Sequence, residues 1–406
     1  MALSFTVYVK KLPLPVTLTE YAITIEGEDQ DKVIAWDDVL GAFLLPTDIP
    51  SFALLTNAKR KGTRVLKRFV FVDGGAPQWV NFIQNKVVNG KLQLTEETPR
   101  KKYTILVNPF SGRKLAKTNW ESVKPFFEAC DFEVVFTKYG GHAGEIAENA
   151  EPGGTIVLVS GDGLVHEVVN ALCKSGKNQQ VAVSVIPGGT SNALAYELCM
   201  LAGEPYSPES CAFIAVTGKR KASDLMQIEL LSQSIVVHAF MTFTWAIVSD
   251  IDINSEFMRV LGEARLYLYA VWRVLKLIHY HGRFRWQYLR NTSEDQGPFT
   301  YFCISKLKHL SADMKVFPQA CLTDGAADAL VISPNVRSWF SLIRTLLAVE
   351  NGGHVNLQGV KYFKAQTWHL EPATVGVYSI DGEAYLSQPM RGTVVPGGVM
   401  YVSRCS

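Results

Sequence analysis

The chain has 406 residues, 48% of them apolar and 19% charged, with a formal net charge of +2 at pH 7. That length exceeds what one hydrophobic core usually organises, so two or three domains are expected, and the composition excludes a disordered chain. The near-neutral balance excludes a globally basic nucleic-acid binder; no nucleic-acid partner is expected and electrostatic recognition must be local.

Residues 1–94 alternate apolar and polar positions in short runs, FTVYV (5–9), YAITI (21–25) and VLKRFVFV (65–72), parted by turn-like stretches such as GEDQD (27–31). This is the period of antiparallel strands. The opening MALSFTVYVKK lacks the basic leader and apolar run of a secretory signal. PQWVNFIQNKVV (77–88) puts Trp79, Phe82, Ile83 and Val87 on one helical face, so the unit is expected to close with an amphipathic helix. A strand meander capped by one helix is similar in topology to a pleckstrin-homology domain. Lys59, Arg60, Lys61, Arg64, Lys67 and Arg68 form a basic run that reads as a solvated hairpin or as a face for anionic lipid head groups.

TEETPRKKY (95–103) is charged, carries a proline and reads as a linker. From 103 to 210 apolar runs alternate with helical segments: YTILVN (103–108), WESVKPFFEA (120–129), FEVVFT (132–137), a helix near HAGEIAENA, TIVLVS (155–160), GLVHEVVNALC, and VAVSVIP (181–187). Such alternation predicts an α/β lobe with a parallel sheet and right-handed crossovers. Residues 211–403 are dominated by strand-like runs, CAFIAVTG among them, with helical segments only near 255–280 and 335–350, so an antiparallel β-sandwich lobe is expected. RNTSEDQGP (290–298) reads as a mobile loop. Residues 230–249 carry no formal charge over 20 positions, but their Ser, Gln, Thr, His and β-branched content favours buried strands over a membrane span. The seven cysteines (130, 173, 199, 211, 303, 321 and 405) are scattered without a C-x-x-C pair, which predicts free thiols in a reducing compartment and a cytoplasmic protein.

Ligands of parallel sheets gather at the carboxyl ends of strands. Three such ends here read NPFSG, SGDGL and PGGTSNA. Gly161, Gly163, Gly188 and Gly189 bare the backbone, and a helix N-terminus adds favourable partial charge for a phosphate. Neither G-x-G-x-x-G nor G-x-x-x-x-G-K-[ST] is present, which excludes an ordinary dinucleotide fold and a P-loop. Asp162, between two of these glycines, is either a turn former or a group that coordinates metal or accepts a proton.

Together NPFSGRKLA (108–116), Thr137 with His142 and Ala143, SGDGLVHEVVNAL (160–172) and IPGGTSNALA (186–195) resemble the catalytic domain of the diacylglycerol kinase superfamily. TWAIVSDIDINSEFMRVLGEARL (244–266) and SIDGEAYLS (379–387) narrow the resemblance to the sphingosine kinases. It spans about 103–403, and it implies ATP and Mg2+ as cofactors and a sphingoid-base lipid as substrate, met by peripheral contact with a membrane surface. The oligomeric state stays open. By the resemblance, Asp162 is the general base for the lipid's primary hydroxyl; phosphoryl transfer is mostly positioning and charge stabilisation, with one group orienting the nucleophile. Asn108, Ser111, Gly112, Thr137, Ser160, Gly161, Gly163, Gly188, Gly189, Thr190 and Gly382 are expected around the nucleotide. Arg259 and Arg265 are expected to clamp its phosphates, with Gly262 breaking the intervening helix. Asp381 and Glu383 complete the magnesium end. Asp252, with Asp250 beside it and Thr242 nearby, matches the acidic head-group position; an amine beside a carboxylate makes a charge-assisted hydrogen bond that a neutral lipid cannot. Leu266, Val349 and His354 are expected to line an alkyl tunnel.

His166 and Glu167, one turn behind the phosphate end, read as structural supports rather than a catalytic pair. HYH (279–281) lacks the partners of a metal site. Two departures stand out: the first loop lacks a further glycine between its basic residues, and Gly188 and Thr190 replace the small alternatives common in sphingosine kinases. A ceramide or diacylglycerol kinase is the neighbouring alternative. A lipid-binding scaffold with a weak catalytic site is the alternative of another class.

Overall fold

The computed structural model describes residues 3–9, 12–27, 30–60, 62–93, 100–111, 114–189, 192–254, 280–332, 344–345, 347–349 and 351–404. The helical segments expected near 255–280 and 335–350 therefore lie almost wholly outside the described residues.

The N-terminal unit is β-rich. Strands β1 (Leu3–Val9), β2 (Leu12–Leu18), β3 (Ala22–Ile25), β4 (Lys32–Ala35), β5 (Val39–Leu44), β6 (Ser51–Arg60) and β7 (Thr63–Val72) form one antiparallel sheet in the order β4-β3-β2-β1-β7-β6-β5. Helix α1 (Ala76–Asn89) starts with Pro77 in its first turn and stops at Gly90, whose φ of 73° gives the left-handed cap that L side chains resist. Its Ile83 joins Val7, Val16, Leu18, Phe52 and Phe71 in the sheet's core. The basic run lies on the β6–β7 hairpin, and three of its side chains, Lys59, Arg64 and Arg68, have partners in the α/β lobe. Lys59 donates to the Gly203 carbonyl at 2.8 Å, Arg68 lies 3.4 Å from Glu128, and Arg64 is buried against Glu204.

The α/β lobe holds β8 (Lys102–Val107), α2 (Leu115–Val123), β9 (Asp131–Phe136), α3 (His142–Glu148), β10 (Thr155–Ser160), α4 (Asp162–Lys174), β11 (Ala182–Pro187), α5 (Ala193–Leu201) and α6 (Pro208–Thr217). Its four strands are parallel in the order β9-β8-β10-β11, and β10 and β11 are buried along their whole length between the helices. The run CAFIAVTG, expected as a strand, is the body of α6. Ser207 accepts from the Ser210 N–H at the helix start and Pro208 follows it, a capping pattern that fixes a helix where apolar content alone does not.

The rest is an antiparallel sandwich. One layer contains β12 (Lys219–Leu230), β13 (Ile235–Ala239), β15 (Gly282–Tyr288), β16 (Asn291–Gln296), β20 (Thr367–Pro372) and β23 (Met390–Ser403); the other runs β19 (Val360–Ala365), β18 (Ala327–Ile332), β17 (Tyr301–Ser305), β14 (Thr242–Ala246), β21 (Val377–Ile380) and β22 (Glu383–Leu386). Phe243, Trp245, Phe284, Trp368 and Tyr378 fill the space between them. The segment expected as a mobile loop is instead β16, paired with β15 and almost wholly exposed. Residues 230–249 contribute the end of β12, then β13, β14 and the start of helix α7 (Ile247–Asn254). No helix among the described residues is long and apolar enough to cross a membrane. Strand β23 belongs to both lobes: it pairs with β12 and β20 in the sandwich, and its end runs parallel to β11.

Candidate functional site

The chain leaves β8 for β9 on one side and places β10 and β11 on the other, so the carboxyl ends of β8 and β10 flank a topological switch point. After β8, Asn108 accepts the Phe110 N–H at 3.0 Å and turns the chain. Ser111 then accepts the Gly161 N–H at 3.0 Å and lies 3.3 Å from the Ser160 hydroxyl. Thr137, buried at the end of β9, donates its N–H to Val107 at 2.9 Å. Asn108, Ser111, Thr137, Ser160 and Gly161 thus rim one edge of the sheet.

The loop after β11 shows why glycine stands there. A Cβ on Gly189 would lie 2.5 Å from Gly161 Cα and 3.0 Å from Ser111 Oγ; one on Gly188 would lie 2.9 Å from Ala116 Cβ. These two glycines let neighbouring loops touch, a steric need apart from any ligand. Gly163 differs. It is exposed, and beyond its own helix and among the described residues a Cβ there would meet Oε1 of Glu383, at 3.9 Å. The exposed Glu383, from the β21–β22 hairpin of the sandwich, therefore reaches the first turn of α4.

Asp162 is the first residue of α4 and only 4% exposed. Its Oδ2 accepts the backbone N–H of Ala193, the first residue of α5, at 2.8 Å. Two helix N-termini thus converge on one carboxylate, and the hydrogen bond fixes its orientation.

Asp381 is the more enclosed carboxylate of the DGE turn. It has a φ of 52°, is 3% exposed, and accepts the N–H groups of Phe240, Met241 and Thr242 at 3.0, 2.9 and 2.8 Å. Oδ2 also lies 2.9 Å from Nδ1 of His166. Both oxygens of Asp381, expected at the magnesium end, thus accept hydrogen bonds that hold the hairpin in place. Burial opposes the imidazolium of His166, but the hydrogen bond and charge of Asp381, with the charges of Glu383 and Glu167, outweigh it and hold the group above its ordinary value. One turn on, Asn170 donates to the His238 carbonyl at 2.8 Å and accepts its N–H at 2.8 Å. Glu167 accepts the Gly144 N–H at 2.8 Å, tying α4 to α3. His166, Asn170 and Glu167 therefore lash α4 to its neighbours. Sequence reading found no role for Asn170, although its i+4 spacing from His166 places both on one helical face.

On the sandwich side, Thr242 is buried at the start of β14, and its carbonyl accepts the Asp381 N–H at 2.9 Å, beside the hairpin that carries Gly382 and Glu383. Asp250, on α7, is 5% exposed and accepts the Tyr280 hydroxyl. Val349 is buried with Cys303, Val316, Phe317, Ala320 and Leu330. His354 is fully buried, with Nε2 2.9 Å from the Val316 carbonyl, and burial lowers its pKa. Tyr301 and Val360 pack both against that cluster and against Ile247 of α7, so the two regions are continuous. Gly112, Thr190, Arg259, Arg265 and Leu266 lie outside the described residues, as does the side chain of Asp252. Among the described residues no group of three His, Cys, Asp or Glu side chains could hold a metal; of HYH, His279 lies outside the described residues. Six cysteines are free; Cys405 lies outside the described residues.

Residues 102–228 match the family model of the diacylglycerol kinase catalytic domain. Residues 263–403 match that of the YegS C-terminal NAD kinase beta sandwich-like domain. The chain is 26% identical over 370 residues to sphingoid long chain base kinase 4 of Schizosaccharomyces pombe, covering 78% of this chain and 79% of that one. It is 27% identical over 348 residues to sphingosine kinase 1 of Rattus norvegicus, covering 74% and 91%. A solved diacylglycerol kinase from Bacillus anthracis str. Sterne superposes with a TM-score of 0.59 at 19% identity, over 76% of this chain and 98% of that one, a likeness of fold.

Proposed function

We propose that this chain, which belongs to the diacylglycerol kinase superfamily and is an ATP-dependent lipid kinase, transfers the γ-phosphate of ATP to the primary hydroxyl of sphingosine or a related long-chain base, giving sphingosine 1-phosphate. The observation that carries this reading is Asp162 at the carboxyl end of β10, oriented by the Ala193 N–H, with the next residue, Gly163, beside Glu383 of the β21–β22 hairpin. In the proposed step the lipid oxygen bonds to the γ-phosphorus, its proton passes to Asp162, and the bond to the β,γ-bridging oxygen breaks as ADP leaves. Asn108, Ser111, Thr137, Ser160 and the Gly161–Gly163 turn receive the nucleotide, with Gly112, Thr190, Arg259 and Arg265 at its phosphates. Glu383 is the acidic side chain suited to magnesium, since the ion takes few protein ligands and rests mainly on substrate phosphates. When bound, magnesium neutralises charge on the transferred group.

For the lipid, Asp252 and Asp250 on α7 favour a cationic head, with Thr242 at its edge and Leu266, Val349 and His354 toward the alkyl chain. Each methylene buried there is worth about 0.8 kcal/mol. The superfamily's name keeps a ceramide or diacylglycerol kinase as the second reading. Offering the three lipids in competition with ATP and magnesium tests the choice: sphingosine should take most of the phosphate, and preference for an uncharged head would defeat the amine argument. The N-terminal unit, seven strands and a closing helix, is read as pleckstrin-homology-like in a cytoplasmic protein that meets membranes peripherally.

A further inference from the structure

The basic hairpin of the N-terminal unit ends on the α/β lobe, at a helix that leads to the proposed base. Arg64 donates through Nε and one terminal nitrogen to the two oxygens of Glu204, at 3.1 and 2.7 Å. Its other terminal nitrogen serves Asp38 and the Asn57 carbonyl, at 2.7 and 2.8 Å. The guanidinium also lies 3.8 Å over the ring of Phe213 on α6. This fork is 8% exposed and its Glu204 partner 6%, so the pair is shielded from salt and water.

Glu204 closes the C-terminal end of α5. Its N–H donates to Cys199 at 2.9 Å, and Gly203 before it takes the left-handed φ of 64°. Midway along α5, Glu197 lies 2.9 Å from Nδ1 of His309, a residue of the sandwich lobe. At the other end, about 13 Å away at the usual helical rise, the Ala193 N–H holds Asp162. One nine-residue helix is thus gripped by the N-terminal unit at its tail and by the sandwich at its waist, and it orients the carboxylate at its head.

We infer that Arg64 is a positioning residue for phosphoryl transfer, acting through Glu204 and α5 on the carboxylate of Asp162. The inference rests on reading Asp162 as the base, and it makes the N-terminal unit a working part of the kinase scaffold rather than a detachable lipid-binding module. Releasing the tail of α5 loosens the Ala193–Asp162 hydrogen bond, weakening support for the charged carboxylate and raising the pH at which it becomes a competent base. Tyr206 and Tyr401, which feel the charge of Asp162, are both pushed up chiefly by burial and stay neutral over the assay range.

The test uses the full chain with Arg64→Met, assayed on sphingosine micelles with magnesium and ATP between pH 5.5 and 8.5, alongside calorimetric ATP binding. A fivefold or larger fall in kcat is expected, with ATP affinity within twofold and the acid limb of kcat moved to higher pH. Should Arg64→Met fail to fold, Arg64→Lys keeps the charge but loses the fork, and a twofold fall with the same movement of the limb is expected. Unchanged kcat and an unmoved acid limb in a folded variant overturn the inference and leave Arg64 a structural clamp. Asp162→Asn in the same series separates the two ideas. Retained turnover there removes the base itself, whereas a dead Asp162→Asn beside unaffected Arg64 variants removes only the role of Arg64.

Discussion

Nδ1 of His166 lies 2.9 Å from Oδ2 of Asp381, joining the helix that begins at Asp162 to the hairpin that carries Glu383. Because the charged imidazole is favoured in the folded protein, the pair's contribution is full below the ordinary histidine value of about 6.5 and is lost as pH rises through the raised folded value. The stability gap between wild type and His166→Gln should therefore be widest near pH 6 and shrink toward pH 8, as followed by urea denaturation at several pH values. Asp381→Ala, which strands three buried N–H groups, should cost at least about 3 kcal/mol at any of them.

The Ala193 N–H can be deleted without deleting its helix, since proline is tolerated at the first helical position. Ala193→Pro should retain its helical circular dichroism and lose tenfold or more in kcat, with the acid limb of the rate profile displaced upward. A normal pH profile would show that this hydrogen bond does not orient the base.

Gly189→Ala drives a methyl group into Gly161 and Ser111, and relief requires the loops to part. Such overpacking costs about 1–3 kcal/mol. ATP affinity, measured by calorimetry, should fall tenfold, while Gly140→Ala, whose Cβ would meet nothing within 4 Å among the described residues, should bind as wild type does.

Burial raises the Glu204 carboxyl, but the Arg64 hydrogen bond and the charges of Arg64, Lys59 and Arg404 more than reverse it and hold the group below its ordinary value. Its stabilising effect is thus present above the unfolded carboxyl value near 4.3 and is lost as pH falls through the folded one. Glu204→Gln should abolish that acid-dependent step in thermal scans from pH 6 to 3. Leu40 and Leu55 of the N-terminal unit share one apolar cluster with Phe127 and Phe213 of the α/β lobe, so deleting residues 1–94 should lower soluble yield sharply.

Alternation in FTVYV and in VLKRFVFV was enough to read the N-terminal strands, and apolar runs between helices were enough to read the parallel sheet. What escaped was set by context. NTSEDQ forms an edge strand with little burial on either face, so its residues carry no apolar alternation. Helix α6 is buried nearly all round, and period alone cannot tell such a segment from a strand; only Ser207 and Pro208 mark it. Asp162 was conspicuous between its glycines, but the donor that orients it, Ala193, offers only a backbone N–H with no side-chain signature. Likewise the acidic DGE turn looks alike at both carboxylates in sequence. Only the fold separates Asp381, enclosed by N–H groups, from Glu383, exposed beside Gly163.

The most direct measurement follows label from γ-labelled ATP into sphingosine for wild type and for Asp162→Asn, with ATP binding measured on both proteins. The account predicts labelled sphingosine 1-phosphate from wild type and at least a thousandfold less from the variant, at equal ATP affinity. Comparable turnover by Asp162→Asn, or a wild-type enzyme that labels only uncharged lipids, would contradict it.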